Sequence, residues 1–267
     1  MSSAIQLTSR HGSLSIEPEG AHMTHWRCND AEQLFVSSAS RFEPGVAIRG
    51  GVPIVFPQFN QFGPGPKHGF ARVTRWRQVP SEQADTLCLV LEQNPSTLSQ
   101  WPHAFKAEFR ASLTANSLSM QLSIVNQDDE PFAFTSALHT YFAVADIREA
   151  QLSGVSDTEY WDNGTPFEQR QSHPHDSLSF SGPIDRIYFN NSRPLILQDG
   201  ARQRRVEQQG FADTVVWNPW REGAGALADM EDEEYRYMLC VEAANVQNPI
   251  TLKPAESWQG QQRICLI

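Results

Sequence analysis

The stretch that decides the fold class is Phe105–Ile124, which reads FKAEFRASLTANSLSMQLSI. Apolar and polar residues alternate from Phe105 to Leu113, and the same alternation resumes from Leu118 to Ile124. A period of two places successive side chains on opposite faces of an extended chain, so each half predicts a strand with one buried face. The intervening segment Thr114–Ser117 predicts a hairpin turn.

Short runs of the same kind recur along the rest of the chain. They predict further strands at Ile5–Thr8, Leu14–Glu17, Leu87–Glu92, Phe132–Val144, Arg186–Phe189, Leu195–Gln198, Arg204–Gln208, Thr214–Trp217, Tyr237–Ala244 and Arg263–Ile267. Helical patterns are few and short, and 17 prolines and 16 glycines are scattered between the strands. This organisation is typical of packed antiparallel sheets rather than βαβ units. The sequence therefore predicts an all-β fold, a large antiparallel β-sandwich.

Length and composition indicate one soluble unit. The chain has 267 residues, which a large β-sandwich can fill as a single domain, so we expect one domain over residues 1–267. It contains no apolar run long enough to span a bilayer. Its first residues, MSSAIQLTSRHG, carry no secretory pattern, and we expect a cytoplasmic protein.

Charge and cysteine usage narrow the possible partners. A net charge of −10 disfavours nucleic-acid binding, which needs clustered cations, but leaves room for a small anion in a local arginine pocket. The four cysteines form no CxxC pair, which argues against a zinc site and a disulfide framework. We therefore expect no metal, no cofactor, no membrane partner and a small-molecule ligand, with a monomer favoured.

Two glycine-rich segments contain candidate binding residues. The first, Ile48–Pro57, places Arg49 beside two glycines, which allow the backbone to approach a ligand closely. The second, Lys67–Arg72, contains a lysine, a histidine and another arginine within six residues. Neither segment fits a nucleotide-binding glycine motif, and an isolated arginine is more often a surface residue than a ligand contact.

His139 and Glu242 are the candidate titratable groups. His139 follows the small or polar residues Ala133, Thr135 and Ala137 on one face of a predicted strand, a pattern that suits a concave ligand surface. Its alternative is a buried histidine that bonds to the backbone. Glu242 interrupts an apolar strand, where a carboxylate must be paired, protonated or facing a cavity. A structural salt bridge and a catalytic role both remain open for it.

The largest charge cluster is Asp229–Glu234, hereafter the acidic run. It reads DMEDEE. Clusters of like charge usually form solvated loops, and we assign this one no chemistry.

Several sequence blocks follow one another in a fixed order. They are RGGVPIVFP at 49–57, HGFAR at 68–72, ALHTYF at 137–142, VWNPW at 216–220, VEA at 241–243 and PAESW at 254–258. With these blocks the chain resembles the hexose-6-phosphate mutarotases, also called glucose-6-phosphate 1-epimerases, of the aldose 1-epimerase superfamily, and the resemblance runs from the N-terminal strands to the C-terminus. The resemblance implies a β-sandwich of the galactose mutarotase-like type with the sugar site on its concave face.

The resemblance also implies roles for individual residues. It makes His139 the general acid and Glu242 the general base, and the site residues that it implies are Arg49 and Arg72 on the phosphate, Asp185 on sugar hydroxyls, and His68 with its neighbour Lys67. Lys67 stands where relatives are expected to have an uncharged residue, so it either adds a third cation near the phosphate or faces solvent. Trp217 is a candidate sugar platform, with core packing as the alternative.

The implied reaction suits these residue types. Removing the proton from the anomeric hydroxyl while protonating the ring oxygen opens the ring, and rotation lets it close from the other face. One carboxylate and one histidine suffice, and no cofactor is needed. Two alternatives remain: a mutarotase for unphosphorylated hexoses, and a carbohydrate-binding sandwich without activity. Paired arginines favour a phosphorylated sugar over the first, and a paired acid and base count against the second.

Overall fold

Antiparallel strands dominate the computed structural model, which describes residues 4–191 and 193–267. The strands are β1 Ile5–Ser9, β2 Gly12–Glu17, β3 His22–Cys28, β4 Ala31–Glu32, β5 Ile54–Val55, β6 Arg77–Val79, β7 Thr86–Glu92, β8 Phe105–Thr114, β9 Ser117–Asn126, β10 Phe132–Leu138, β11 Tyr141–Ala143, β12 Gln151–Ser153, β13 Glu159–Asp162, β14 Arg170–Ser172, β15 Ser177–Ser179, β16 Ile184–Tyr188, β17 Leu195–Asp199, β18 Arg202–Gln209, β19 Asp213–Asn218, β20 Met238–Leu252 and β21 Ser257–Leu266. The helices are α1 Pro95–Gln100, α2 Trp220–Gly225 and the 3-10 turns Ala71–Val73 and Glu234–Tyr237.

The described strands form three sheets. A four-stranded sheet has the order β1-β2-β3-β4. An eight-stranded sheet has the order β14-β13-β16-β19-β20-β10-β5, with β11 also paired to β20. A nine-stranded sheet has the order β15-β12-β17-β18-β21-β9-β8-β7-β6. All the pairings between these strands are antiparallel, as expected for an all-β fold of hairpins and longer returns.

The predicted hairpin at Phe105–Ile124 is confirmed. Strands β8 and β9 pair from Phe105 opposite Asn126 to Thr114 opposite Ser117, so a two-residue turn joins them. Burial alternates strictly along β8, with Phe105, Phe109 and Leu113 inside. The apolar residues of this hairpin belong to the main core, which also contains residues of the eight-stranded sheet, so the two large sheets pack face to face.

The eight-stranded sheet has apolar residues on both faces. Val216, Val241 and Leu138 belong to the main core between the sheets. Their neighbours in sequence alternate to the opposite face, where a smaller apolar cluster gathers Val55, Phe59, Ala137, Trp161, Ile187, Phe189, Val215, Ala244 and Val246. A face that is apolar but not covered by the second large sheet is where a ligand can be bound.

The predicted strand Phe132–Val144 is wrong as a continuous element. Strand β10 ends at Leu138, and β11 begins at Tyr141. At the break, the amide of His139 donates to Pro53 O (3.0 Å) and the hydroxyl of Thr140 donates to Gln262 Oε1 (2.6 Å). Hydrogen bonds to residues distant in sequence replace the hydrogen bonds between strands here. The local alternation of residue types therefore could not reveal the break.

Candidate active site

A cavity of about 120 Å³ opens on the face of the eight-stranded sheet that carries the smaller apolar cluster. Val215 and Phe59 belong both to that cluster and to the cavity wall. Of the eight site residues named from the sequence, the cavity is lined by Arg49, Lys67, His68, His139, Asp185, Trp217 and Glu242. Arg72 is not part of the lining. Residues from six separate stretches of chain therefore meet at one place.

Strand register brings His139 and Glu242 together. Leu138 pairs with Ala243 across β10 and β20, and in an antiparallel pair the next residue on one strand lies beside the preceding residue on the other. His139 Nε2 accordingly lies 3.2 Å from Glu242 Oε1. Glu242 faces the cavity because it alternates with Val241 and Ala243, which point into the main core.

Both members of this pair are removed from water. Glu242 is 1% exposed and His139 is 9% exposed. Burial lowers the pKa of His139 well below its usual value, and the nearby His68, Arg49 and Arg72 lower it further. Burial likewise raises the pKa of Glu242, as does the carboxylate of Asp185. Although the pair has the geometry of a salt bridge, burial of both groups favours its neutral form, in which one proton is shared between Nε2 and Oε1.

Each member also has a second polar atom that no other described residue satisfies. These atoms are His139 Nδ1 and Glu242 Oε2, both buried and without a hydrogen-bond partner in the described part of the chain. Buried polar atoms are usually paired, and unpaired ones at a cavity are typical of a ligand site. The pair can thus both give and accept a proton toward a bound molecule.

His68 is a neutral hydrogen-bond donor at the cavity wall. Its Nδ1 accepts from the amide of Asn60 (3.2 Å), which leaves the ring proton on Nε2. Burial lowers the pKa of His68 to about 3, and Arg72, Lys67 and Arg49 contribute in the same direction. Its ring meets that of His139 edge-on at 5.7 Å between centroids.

Arg49 is held by two side chains at the edge of the cavity. Its Nε donates to Asp229 Oδ1 (3.2 Å), and its Nη1 donates to the hydroxyl of Tyr141 (3.1 Å). Burial alone would lower the pKa of Arg49, but Tyr141 and Asp229 raise it above its ordinary value. The guanidinium therefore stays charged, and neither of these bonds uses Nη2.

Two glycines fix the backbone beside Arg49. Gly50 and Gly51 have φ values of +115° and +60°. A Cβ at Gly50 would lie 2.4 Å from Phe35 O, and one at Gly51 would lie 2.1 Å from Met23 O. Glycine is required at both positions by conformation and by space.

Arg72 is the one sequence-named site residue that does not line the cavity. It belongs to the 3-10 turn Ala71–Val73 and donates from Nη2 to Lys67 O (2.8 Å). Its Nε is buried and has no partner among the described residues. Burial lowers the pKa of Arg72, and the charge of Arg49 acts in the same direction, whereas Tyr141 and Asp229 oppose the shift. Through Lys67 O, Arg72 supports the loop that carries Lys67 and His68 to the site.

Asp185 and Trp217 line the cavity from the paired strands β16 and β19. Asn163 Nδ2 donates to Asp185 Oδ2 (2.7 Å), and burial raises the pKa of Asp185. Trp217 lines the cavity and also packs against the main core, so its role as a sugar platform stays a prediction. Its ring meets that of His139 edge-on at 6.2 Å.

Sequence reasoning missed several residues of this site. Asn163 lies in a polar turn whose position opposite Asp185 depends on the pairing of β13 with β16. Asp229 belongs to the acidic run that was assigned no chemistry, yet it contacts Arg49. Tyr141 stacks on the ring of His139 at 4.8 Å between centroids, and its bond to Arg49 was not foreseen.

The described residues contain no cluster of three or more His, Cys, Asp or Glu side chains that could hold a metal ion. In the same part of the chain, no helix is long and apolar enough to cross a membrane.

Comparison with known proteins identifies the relatives of this chain. The family model described as aldose 1-epimerase matches residues 3–265. A protein of Cenchrus ciliaris, provisionally named glucose-6-phosphate 1-epimerase, is 37% identical over 91% of this chain and 78% of its own length. A protein of Escherichia coli with the same provisional name is 34% identical over 91% of this chain and 84% of its own length.

Solved structures show the same fold. The crystal structure of a provisionally named mutarotase, YeaD, from Salmonella typhimurium has a TM-score of 0.89 at 29% identity, covering 98% of this chain and 90% of its own. Galactose 1-epimerase from Lactobacillus acidophilus has a TM-score of 0.74 at 15% identity, covering 99% and 94%. The galactose mutarotase-like sandwich expected from the sequence is confirmed.

Proposed function

Since the chain belongs to the aldose 1-epimerase family and is thus an isomerase that acts on a sugar, we propose that it interconverts the α and β anomers of a hexose 6-phosphate. Two relatives with provisional names of this activity are similar over most of their length. The single observation that carries the chemistry is the contact of 3.2 Å between His139 and Glu242 in the cavity.

The proposed reaction needs one proton to leave and one to arrive. Glu242 accepts the proton of the anomeric hydroxyl while His139 gives a proton to the ring oxygen, and the bond from C1 to that oxygen breaks to leave the aldehyde. Rotation about C1–C2 and the reverse transfers close the ring as the other anomer. The first transfers require Glu242 as a carboxylate and His139 as an imidazolium. This charged pair forms when the shared proton moves from Glu242 to His139, with no change in the net charge of the pair.

The remaining cavity residues fit the hydroxyl groups of a sugar ring. Asp185 accepts hydrogen bonds, Asn163 donates and accepts them, and His68 offers one donor from Nε2. Trp217 adds an apolar surface beside them. These groups orient the ring so that C1 lies at the acid–base pair, and orientation of this kind supplies a large part of a rate enhancement.

The cations support a phosphorylated substrate. Arg49 and Lys67 both line the cavity, and the positive charge of Arg72 acts on His68 in the same cavity wall. A neutral hexose gives no reason to hold several cations at one site, whereas a phosphate dianion does. We therefore assign the 6-phosphate to Arg49 and Lys67, with Arg72 acting mainly on the loop that carries Lys67.

Three further expectations belong to this proposal. One domain over residues 1–267 is supported by a family model that matches residues 3–265. A cytoplasmic location is supported by four free cysteines, since thiols persist in reducing compartments. A monomer remains the expected oligomeric state.

Anomer exchange measured by NMR tests the proposal. Glucose 6-phosphate, glucose and galactose are compared at equal concentration, and exchange is expected to be fastest for the phosphorylated sugar by at least about tenfold. Equal exchange rates on all three would favour a general aldose mutarotase. Binding without exchange would favour the non-catalytic alternative.

A further inference from the structure

The acidic run reaches the candidate active site through Asp229. Its carboxylate lies 3.2 Å from Arg49 Nε, and the two side chains are 29% and 23% exposed. Leu227, two residues before it, lines the cavity. The carboxylate of Asp229 thus lies beside the arginine to which we assign the phosphate of the substrate.

The acidic run is fastened to the same backbone that carries Arg49. Glu234 accepts hydrogen bonds from the hydroxyl of Ser37 and the amide of Ser38. Ser37 in turn donates its amide to Arg49 O (2.9 Å), and Ser40 bonds to both the amide and the carbonyl of Arg49. Asp229 is therefore held near Arg49 even when its own ion pair is weakened.

We propose that Asp229 is an internal counter-ion of the anion site, which neutralises Arg49 while the site is empty and opposes the phosphate once it is bound. This inference rests on the proposed function. Asp229 then lowers the affinity of the site for free anions and for sugar phosphates alike, and has little effect on a neutral sugar.

Two effects of removing the charge compete. The carboxylate orients Arg49 through Nε, and loss of that bond would weaken anion binding. The substitution Asp229→Asn keeps an oxygen that accepts from Nε, and Tyr141 still holds Nη1, so most of the orientation survives. The repulsion between a carboxylate and a dianion separated by one guanidinium group disappears entirely. We expect the second effect to dominate and to be worth about tenfold in affinity, equivalent to about 1.4 kcal/mol.

The matched control is Asp232→Asn. Asp232 is an exposed residue of the same run, and the variant changes the net charge by the same amount. A general change in surface potential would act on both variants equally, whereas a counter-ion effect belongs to Asp229 alone.

Calorimetric titration with inorganic phosphate is the experiment, together with KM for glucose 6-phosphate and for glucose. Asp229→Asn is expected to lower the Kd for phosphate and the KM for glucose 6-phosphate about tenfold, with little change for glucose or in Asp232→Asn. Unchanged or weaker phosphate binding in Asp229→Asn, or equal effects in the two variants, would overturn the counter-ion role. A wild-type protein that neither binds phosphate nor prefers glucose 6-phosphate would instead refute the proposed function itself.

Discussion

Replacing Glu242 by glutamine tests the acid–base pair most directly. The side chain keeps its shape, and the contact with His139 at 3.2 Å can persist as a neutral hydrogen bond. The amide cannot accept a proton from the anomeric hydroxyl. A positioned general base contributes about 10²–10⁴-fold, so kcat for glucose 6-phosphate should fall at least about a hundredfold, or about 2.7 kcal/mol of barrier.

The same change should not destabilise the fold at neutral or higher pH. Because burial raises the pKa of Glu242, the folded protein loses stability as pH rises from the unfolded value through the raised one. Glutamine does not titrate and escapes this loss. The melting temperature of Glu242→Gln should therefore equal or exceed that of the wild type, with a difference that grows as pH rises.

The assay is NMR exchange of glucose 6-phosphate anomers, with scanning calorimetry at several pH values. Glu130→Gln is the control, since Glu130 is exposed and lies away from the cavity lining. Near wild-type exchange in Glu242→Gln would refute the assignment of the base. A lower melting temperature in Glu242→Gln than in Glu130→Gln would refute the argument from burial.

Three other predictions follow from the same geometry. His139→Asn should lower turnover at least about a hundredfold and remain folded by circular dichroism, whereas an unfolded variant would indicate a structural histidine. Arg49→Ala should lower kcat/KM for glucose 6-phosphate about ten- to a hundredfold with little effect on glucose. Arg72→Ala should have a smaller effect, because Arg72 lies outside the cavity lining. Equal losses of kcat/KM on both sugars would refute the phosphate site. Burial lowers the pKa of His68 to about 3, so the fold loses stability as pH falls from about 6.5 toward that value. His68→Gln should therefore show a smaller drop in melting temperature than the wild type between neutral pH and about pH 4. A drop equal to that of the wild type would contradict this prediction.

Alternation of residue types made much of the sheet predictable. Strand β8 could be predicted because every second residue is apolar. The first half of β20 could be predicted because it is an apolar run. The second half of β20 was missed: after Val246 the strand continues through Gln247, Asn248 and Pro249, which a local pattern interprets as a loop. Beyond these residues, Ile250–Leu252 pair with Phe132–Phe134 of β10, and that pairing is not local.

The candidate site divides in the same way. Glu242 could be named because it interrupts an apolar strand, and His139 because it follows small or polar residues on one face of a strand. The resemblance supplied their roles. Asp229 could not be named, because a carboxylate within an acidic cluster has no local signature of its partner 180 residues away. The resemblance implied that Arg72 binds the phosphate. Sequence spacing could not show that its guanidinium donates a hydrogen bond to Lys67 O.

The glycine pair after Arg49 has a consequence for laboratory evolution. Any side chain at Gly50 or Gly51 would collide with a neighbouring carbonyl, so nearly all single substitutions there should abolish folding rather than alter selectivity. Libraries aimed at new sugars would gain most variation at Asn163 and Leu227, which line the same cavity from loops with looser constraints. Arg49 would be kept unchanged in such libraries while the other cavity residues are varied around it.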